Sequence, residues 1–297
     1  MMTITVGNIF GNDVSNRFKY NPNNSLLLPD VCIGVEVEVE DSNISDISGY
    51  QCNSNIKCVP DNSLRESGAE FIFVNPVFGE DLLDSLEALK TSIPEDSTHG
   101  FRTSTHIHLD VRDLEVEEVI KMVVIYSLIE PLFYTFNNED RWDNPFSYPL
   151  TTSLYNPEYM RNIKELMSSP RLNTPLAVSA SERYFALNLS SISKFGSLEF
   201  RMFNSTRDPE EILKFIKVVM LTRLLKGMVG DDLEVDIRAI ESKLSSLGYA
   251  YRINADCYEA LMKIRSSSIA EREYYNSEPR GSIGLETTES GEDFNVG

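Results

Sequence analysis

Cysteine is scarce and badly spaced for chemistry: Cys32, Cys52, Cys58 and Cys257 form no Cys-x-x-Cys pair, and the closest two lie six positions apart. That spacing argues against a zinc ribbon and a disulfide framework and leaves reduced thiols. Basic residues are also short, 27 against 46 acidic ones, for a formal net charge of −19. A chain so acidic offers no sequence-independent grip on nucleic acid or on an anionic membrane. No run of apolar residues is long enough to span a bilayer, and the asparagine-rich start lacks the basic and apolar regions of a leader, so a cytoplasmic protein is expected. Neither a G-x-x-x-x-G-K-[ST] loop nor a G-x-G-x-x-G turn occurs. Without those cradles, a bound nucleotide has to be held by metals and side chains.

What is present is a chain of 297 residues, enough to bury a large core. Residues 1–30 are polar and turn-rich and read as an irregular arm. Alternation in "VCIGVEVEVED" marks a first strand, and residues 41–60 read as an irregular excursion before a turn through Asp61 and Asn62. "AEFIFVNP" is a second strand, leucine spacing predicts a helix over about 80–92, and "STHIHLDV" is a third strand. Asp113 is placed to cap the long helix "LEVEEVIKMVVIYSLIEPLFYTF", which Pro131 should kink or end. Residues 138–180 are aromatic and proline-rich and fit no pattern. "RYFALNLS" and "GSLEFRMF" read as neighbouring strands joined through residues 191–196. Asp208, Pro209 and two glutamates start a further helix with Gly230 as its stop, and two shorter helices follow at about 232–247 and 254–266. Residues 267–297 have the composition of a polar tail. Strands with helices inserted between them predict an α+β fold: a largely antiparallel sheet region over 31–207, helices packed on one face, and C-terminal helices over 208–266 completing the same domain.

Side chains two apart on a strand point the same way, so each strand divides into two faces. Glu36, Glu38 and Glu40 share one face, Glu70 opens the second strand, His106, His108 and Asp110 share a face, and so do Glu199 and Arg201. For any one strand, the solvated side of an amphipathic sheet accounts for them. Across four strands the account weakens, because a solvated face favours mixed charge and opposed like charges cost energy. An acid-rich face with imidazoles suits Mg²⁺ or Mn²⁺, hard ions that take oxygen ligands and leave positions for water and phosphate. Arg201 beside Glu199 is either an ion pair within the sheet or a guanidinium that meets phosphate while its neighbour binds metal. His99 reads as a loop residue, and Asn188 either orients a carbonyl or ends a strand.

In order, the motifs "GVEVE" at 34–38, "DNSLRESGAEF" at 61–71, "THIHL" at 105–109, "RYFALN" at 183–188 and "GSLEFR" at 196–201 resemble the amidoligase family. That family is part of the carboxylate-amine ligase superfamily, with glutamine synthetase and glutamate-cysteine ligase. The resemblance spans about residues 31–206 and implies a sheet of the glutamine synthetase catalytic type. It also implies an ATP-dependent ligase that uses Mg²⁺ or Mn²⁺ to turn a carboxylate into an acyl phosphate, which an amine attacks to give an amide. By the resemblance, Glu36, Glu38, Glu70 and Glu199 are metal ligands, and His106 and His108 lie near nucleotide and substrate. Arg201 contacts phosphate, and Arg183 assists from the adjacent strand. Asp61 and Glu66 are candidates to take the proton of the amine. The family's Asp-Gly-Ser turn here reads Asp-Asn-Ser, which asparagine's tolerance of a left-handed backbone permits. The implied partners are a carboxylate and an amine, small molecule or peptide, with no nucleic acid or membrane and with oligomerisation open. The alternatives are a binding or structural protein on the same fold with reduced chemistry, and a metal-dependent hydrolase.

Overall fold

The valines that alternate with glutamates form β1 (Ile33–Val39), and in a computed structural model of the chain this strand lies inside a six-stranded sheet. The structure describes residues 5–10, 31–40, 51–64, 68–137, 141–150, 184–256, 258–259, 261–263 and 266. The other strands are β2 (Ile56–Pro60), β3 (Ala69–Phe73), β4 (Ser104–Asp110), β5 (Leu187–Asn188) and β6 (Ser197–Asn204). Their order is β2-β3-β1-β4-β6-β5, and every pairing is antiparallel. The helices of the described residues include α1 (Val6–Phe10), α2 (Glu80–Ser92), α3 (Val116–Tyr134), α4 (Ser191–Phe195), α5 (Pro209–Leu225) and α6 (Ile237–Ser246). The architecture is therefore α+β on an antiparallel sheet.

Alternation gives the sheet an apolar side, where Val35, Val37, Val39, Phe71, Ile107 and Phe200 are all buried. The helices α3 and α5 cover that side. Phe133 of α3 stacks on Phe200 with ring centroids 5.8 Å apart, and Phe215 of α5 stacks on Phe203 at 4.4 Å. Such offset aromatic pairs add to the area they bury. With α2 packed on β2 and β3, the opposite side of the sheet is left to the acids and histidines.

The structure departs from the sequence expectations at several places, each for a local reason. The excursion over 41–60 contains β2, a short edge strand that buries only Ile56 and Cys58 and ends at Pro60, too brief for alternation to reveal. Glu115, not Asp113, begins α3: Glu118 Oε2 accepts from the Glu115 amide at 3.1 Å in a capping box. Asp113 instead accepts from Arg223 Nη1 of α5 at 3.1 Å. Helix α3 runs through Pro131 to Tyr134, since a proline in the last turn forfeits one bond and the helix ends soon after. Helix α5, capped by Asp208 as expected, stops at Leu225 and tightens into a 3₁₀ turn over Lys226–Met228, ahead of Gly230. The strand read over "RYFALNLS" shrinks to Leu187–Asn188, and its connection to β6 is the short helix α4, closed by Gly196 in the left-handed region (φ 69°). Among the described residues no helix is long and apolar enough to cross a membrane. The expectations for the arm, the tail, Glu66 and Arg183 fall largely or wholly outside the described residues.

Candidate functional site

Strand register brings the expected residues onto one surface. Across β1 and β3 Glu38 faces Glu70, across β1 and β4 Glu36 faces His106, and across β4 and β6 His108 faces Glu199. Asn188 on β5 then faces Glu199 from the other side. Residues far apart in the chain thus become cross-strand neighbours, the distance at which side chains interact directly. Between Thr105 and Ile107 the register shifts by one, so that Arg201 and Met202 together lie opposite His106. Such a bulge re-aims side chains. Here Phe203 falls on the apolar side beneath Phe215, while Arg201 stays on the acidic side.

Two groups result. In the first, Glu36, His108 and Glu199 each offer a ligand atom, all within 4.8 Å of one another; in the second, Glu38, Asp61 and Glu70 do the same. His106 sits among the carboxylates of both groups: Nδ1 is 3.2 Å from Glu36 Oε2 and 3.5 Å from Glu199 Oε1, and Nε2 is 3.6 Å from Glu38 Oε1. Asp61 is presented by the expected turn, its oxygens accepting from the Ser63 amide at 2.8 Å and the Ser63 hydroxyl at 2.7 Å. Gly34 faces His108 across the strands, and a Cβ there would lie 3.2 Å from the His108 Cβ. The absent side chain leaves the imidazole its place.

Three of these side chains, His108, Glu199 and Glu38, are held from behind. His108 Nδ1 lies 3.0 Å from the Ser197 hydroxyl, which leaves Nε2 turned toward Glu36 Oε1 at 3.1 Å. Glu199 Oε1 accepts from Arg201 Nη1 at 2.6 Å, and Oε2 accepts from Asn188 Nδ2 at 2.7 Å. Glu38 Oε2 accepts from the Ser104 amide at 2.8 Å. Partners of this kind orient metal ligands and set the imidazole tautomer.

The charges are under stress. Burial raises the carboxyl of Glu36, but the charge of His108 and hydrogen bonds from both histidines outweigh it and hold Glu36 well below the usual range. Burial likewise raises Glu199, and Arg201 with the two histidines brings it below its ordinary value. Burial lowers His108, but Glu36 and Glu199 raise it overall. For Glu38, burial prevails and the carboxyl is raised despite His106 and Arg201. Glu70 is pushed up to about 9 by burial and then by the like charges of Glu36, Asp61 and Glu38. Clustered carboxylates that cannot all ionise together are what a divalent cation relieves.

The donor chemistry fits such a cation. His106 Nε2 is buried without a hydrogen-bond partner and His108 Nε2 is aimed at Glu36 Oε1, and both groups supply oxygen with at most one imidazole, the set that suits Mg²⁺ or Mn²⁺. The first group takes in His108, which sequence reasoning placed near the nucleotide, and the second takes in Asp61, which it offered as a proton acceptor. Glu40, on the same face, lies 3.7 Å from Arg102 and joins neither group. Ser197 carries no role in the sequence reading, although its position two before Glu199 places it on the same face. In the stretch that fits no sequence pattern, the guanidinium of Arg141 is buried against backbone carbonyls, and Trp142 lies edge-on to Tyr134 at 4.7 Å. His99 does lie in a loop, with Nδ1 2.7 Å from the Ser205 hydroxyl.

A family model described as "Putative amidoligase enzyme" matches residues 44–220, more than half of the chain. The matched span takes in Asp61, Glu70, both histidines of β4, Glu199 and Arg201, and begins beyond Glu36 and Glu38. No curated protein matches the chain.

Proposed function

The chain belongs to the amidoligase family, and from that premise we propose that it is an ATP-dependent carboxylate-amine ligase on a sheet of the glutamine synthetase catalytic type. The observation that carries the reading is the pair of adjoining groups Glu36–His108–Glu199 and Glu38–Asp61–Glu70, with Arg201 bonded to the first. Divalent cations held there would neutralise phosphate oxygens and draw charge from the phosphorus under attack.

The protein's own residues have separate tasks. Glu36, Glu38, Glu70 and Glu199 with His108 and Asp61 are the cation ligands. Arg201 keeps Glu199 ionised through Nη1, and its side chain is 19% exposed, so its remaining donors can meet an anionic oxygen of the nucleotide. The reaction balances in two displacements. A substrate carboxylate oxygen attacks the γ-phosphorus and ADP leaves; the amine nitrogen then attacks the acyl carbon, and inorganic phosphate leaves as the amine gives up a proton. Asp61 is committed to Ser63 and to its carboxylate neighbours, so proton removal falls to His106, whose buried Nε2 has no hydrogen-bond partner. Arg183 remains a nucleotide contact by resemblance alone.

The test is ADP release with Mg²⁺ across a panel of carboxylates and amines, with mass spectrometry to identify a joined product. The reading requires that release depend on Mg²⁺ and that Glu199→Ala abolish it. Nucleotide binding indifferent to the metal would overturn it.

A further inference from the structure

Arg141 is 1% exposed and lies outside every named helix and strand. Its guanidinium donates to the carbonyl oxygens of Phe101 at 3.2 Å and Thr103 at 2.9 Å, and to the Ser104 hydroxyl at 2.7 Å. The Thr103 carbonyl and the Ser104 amide are two ends of one peptide unit, and that amide donates to Glu38 Oε2 at 2.8 Å. A cation at the carbonyl end of a planar, conjugated peptide makes its N–H a stronger donor, and hydrogen bonds in such a chain reinforce one another. Glu38 is 5% exposed and has little water to replace that bond.

The segment that carries Arg141 is itself fastened. The Asn144 amide donates to the Arg141 carbonyl at 3.1 Å, the Asn144 side chain donates to the Phe101 carbonyl at 2.9 Å, and the Tyr134 hydroxyl of α3 donates to the Ser147 carbonyl at 3.1 Å. A rigid support thus runs from α3 through residues 141–147 to the first residue of β4 and from there to Glu38.

We propose that Arg141 is a positioning residue of the Glu38–Asp61–Glu70 cation group, which fixes the Glu38 carboxylate through the Thr103–Ser104 peptide without touching it. This rests on the cation-binding part of the proposed function and not on its ligase chemistry. The other group, Glu36–His108–Glu199, is held by Ser197, Arg201 and Asn188 and does not depend on this support.

The experiment is calorimetric titration of the full chain with Mn²⁺ alone. Glu38→Gln identifies the dependent site by removing it. Arg141→Gln should weaken that same site by about tenfold or more, the range for partners of metal ligands, and leave the other unchanged. Added to Glu38→Gln, it should change nothing further, since the two act along one path. A folded Arg141→Gln with unaltered Mn²⁺ affinity overturns the proposal, as does equal weakening of both sites, the mark of a merely structural role. If that variant does not fold, Arg141→Lys keeps the charge but not the fork, and unaltered affinity there also overturns it. No nucleotide enters the measurement, so a wild type that takes up Mn²⁺ in both sites yet forms no amide refutes the ligase and leaves this inference standing.

Discussion

Arg201 Nη1 and Glu199 Oε1 lie 2.6 Å apart on one face of β6, and Arg201 is the partner that most lowers the buried Glu199 carboxyl against its own burial. Removing the guanidinium leaves a buried charge beside Glu36. In the metal-free protein Arg201→Ala should cost about 3–5 kcal/mol, the usual penalty for breaking a buried pair from one side. Mg²⁺ should recover part of that loss by supplying another positive charge. Urea unfolding with and without Mg²⁺ measures both, and an identical loss in the two conditions would refute the prediction.

The pH dependence follows from three groups of the site whose proton affinity is raised by folding, Glu38, Glu70 and His108. Glu70 moves from 4.5 to about 9, and His108 rises above 6.5. Each favours the folded state fully below its unfolded value and loses that contribution as pH rises toward its folded value. Glu36 and Glu199 are lowered, so their contribution is present above about 4.5 and disappears as pH falls further. Metal-free stability should therefore peak near the ordinary carboxylate range and decline toward pH 9. Glu70→Gln should flatten the decline, and thermal unfolding across pH reads it.

Proton release should accompany metal uptake for the same reason. At pH 7 the Glu70 carboxyl, at about 9, holds its proton until a cation displaces it. Calorimetry of Mg²⁺ binding in buffers of different ionisation enthalpy should report release for the wild type and less for Glu70→Gln. A buffer-independent enthalpy would contradict it.

Gly34→Ala tests the fit of His108 into its group. The new Cβ would stand 3.2 Å from the His108 Cβ, so the imidazole or the strand must give way by a few tenths of an ångström. Overpacking of this kind costs about 1–3 kcal/mol. Mn²⁺ affinity at the Glu36–His108–Glu199 group should fall while the other group keeps its own. Unchanged binding at both would show that the ring has room to spare.

Asp208→Ala is the control away from the site. The Asp208 carboxylate accepts from the Glu210 amide at 3.0 Å at the start of α5, and its loss should cost about 1 kcal/mol. Chemical denaturation should detect the change, and Mn²⁺ binding should not.

Much of this site was legible in the sequence because it sits on strands. Once β1 and β4 are recognised, a period of two leaves no choice about which glutamates and histidines face together, and "VEVEV" and "THIHL" declare themselves. Arg141 was not legible. It stands in a stretch without periodicity, and its meaning lies in hydrogen bonds to carbonyls about forty residues away, which residue type does not encode. The partition of the acids was also hidden: Asp61 reaches Glu38 and Glu70 because a turn carries it there, a matter of chain path and not of pattern.

By itself the sequence determined the α+β alternation, the apolar and acidic faces of each strand and the capped start of α5, since all of these arise from neighbours within a few positions. Only the tertiary structure decided that β1 lies between β3 and β4, that a one-residue shift in β6 turns Phe203 to the core while Arg201 stays with the acids, and that the carboxylates fall into two groups rather than one. Those outcomes depend on register between distant strands. Register is settled by the burial of whole faces against α3 and α5, a condition on the folded chain that no short stretch of sequence contains.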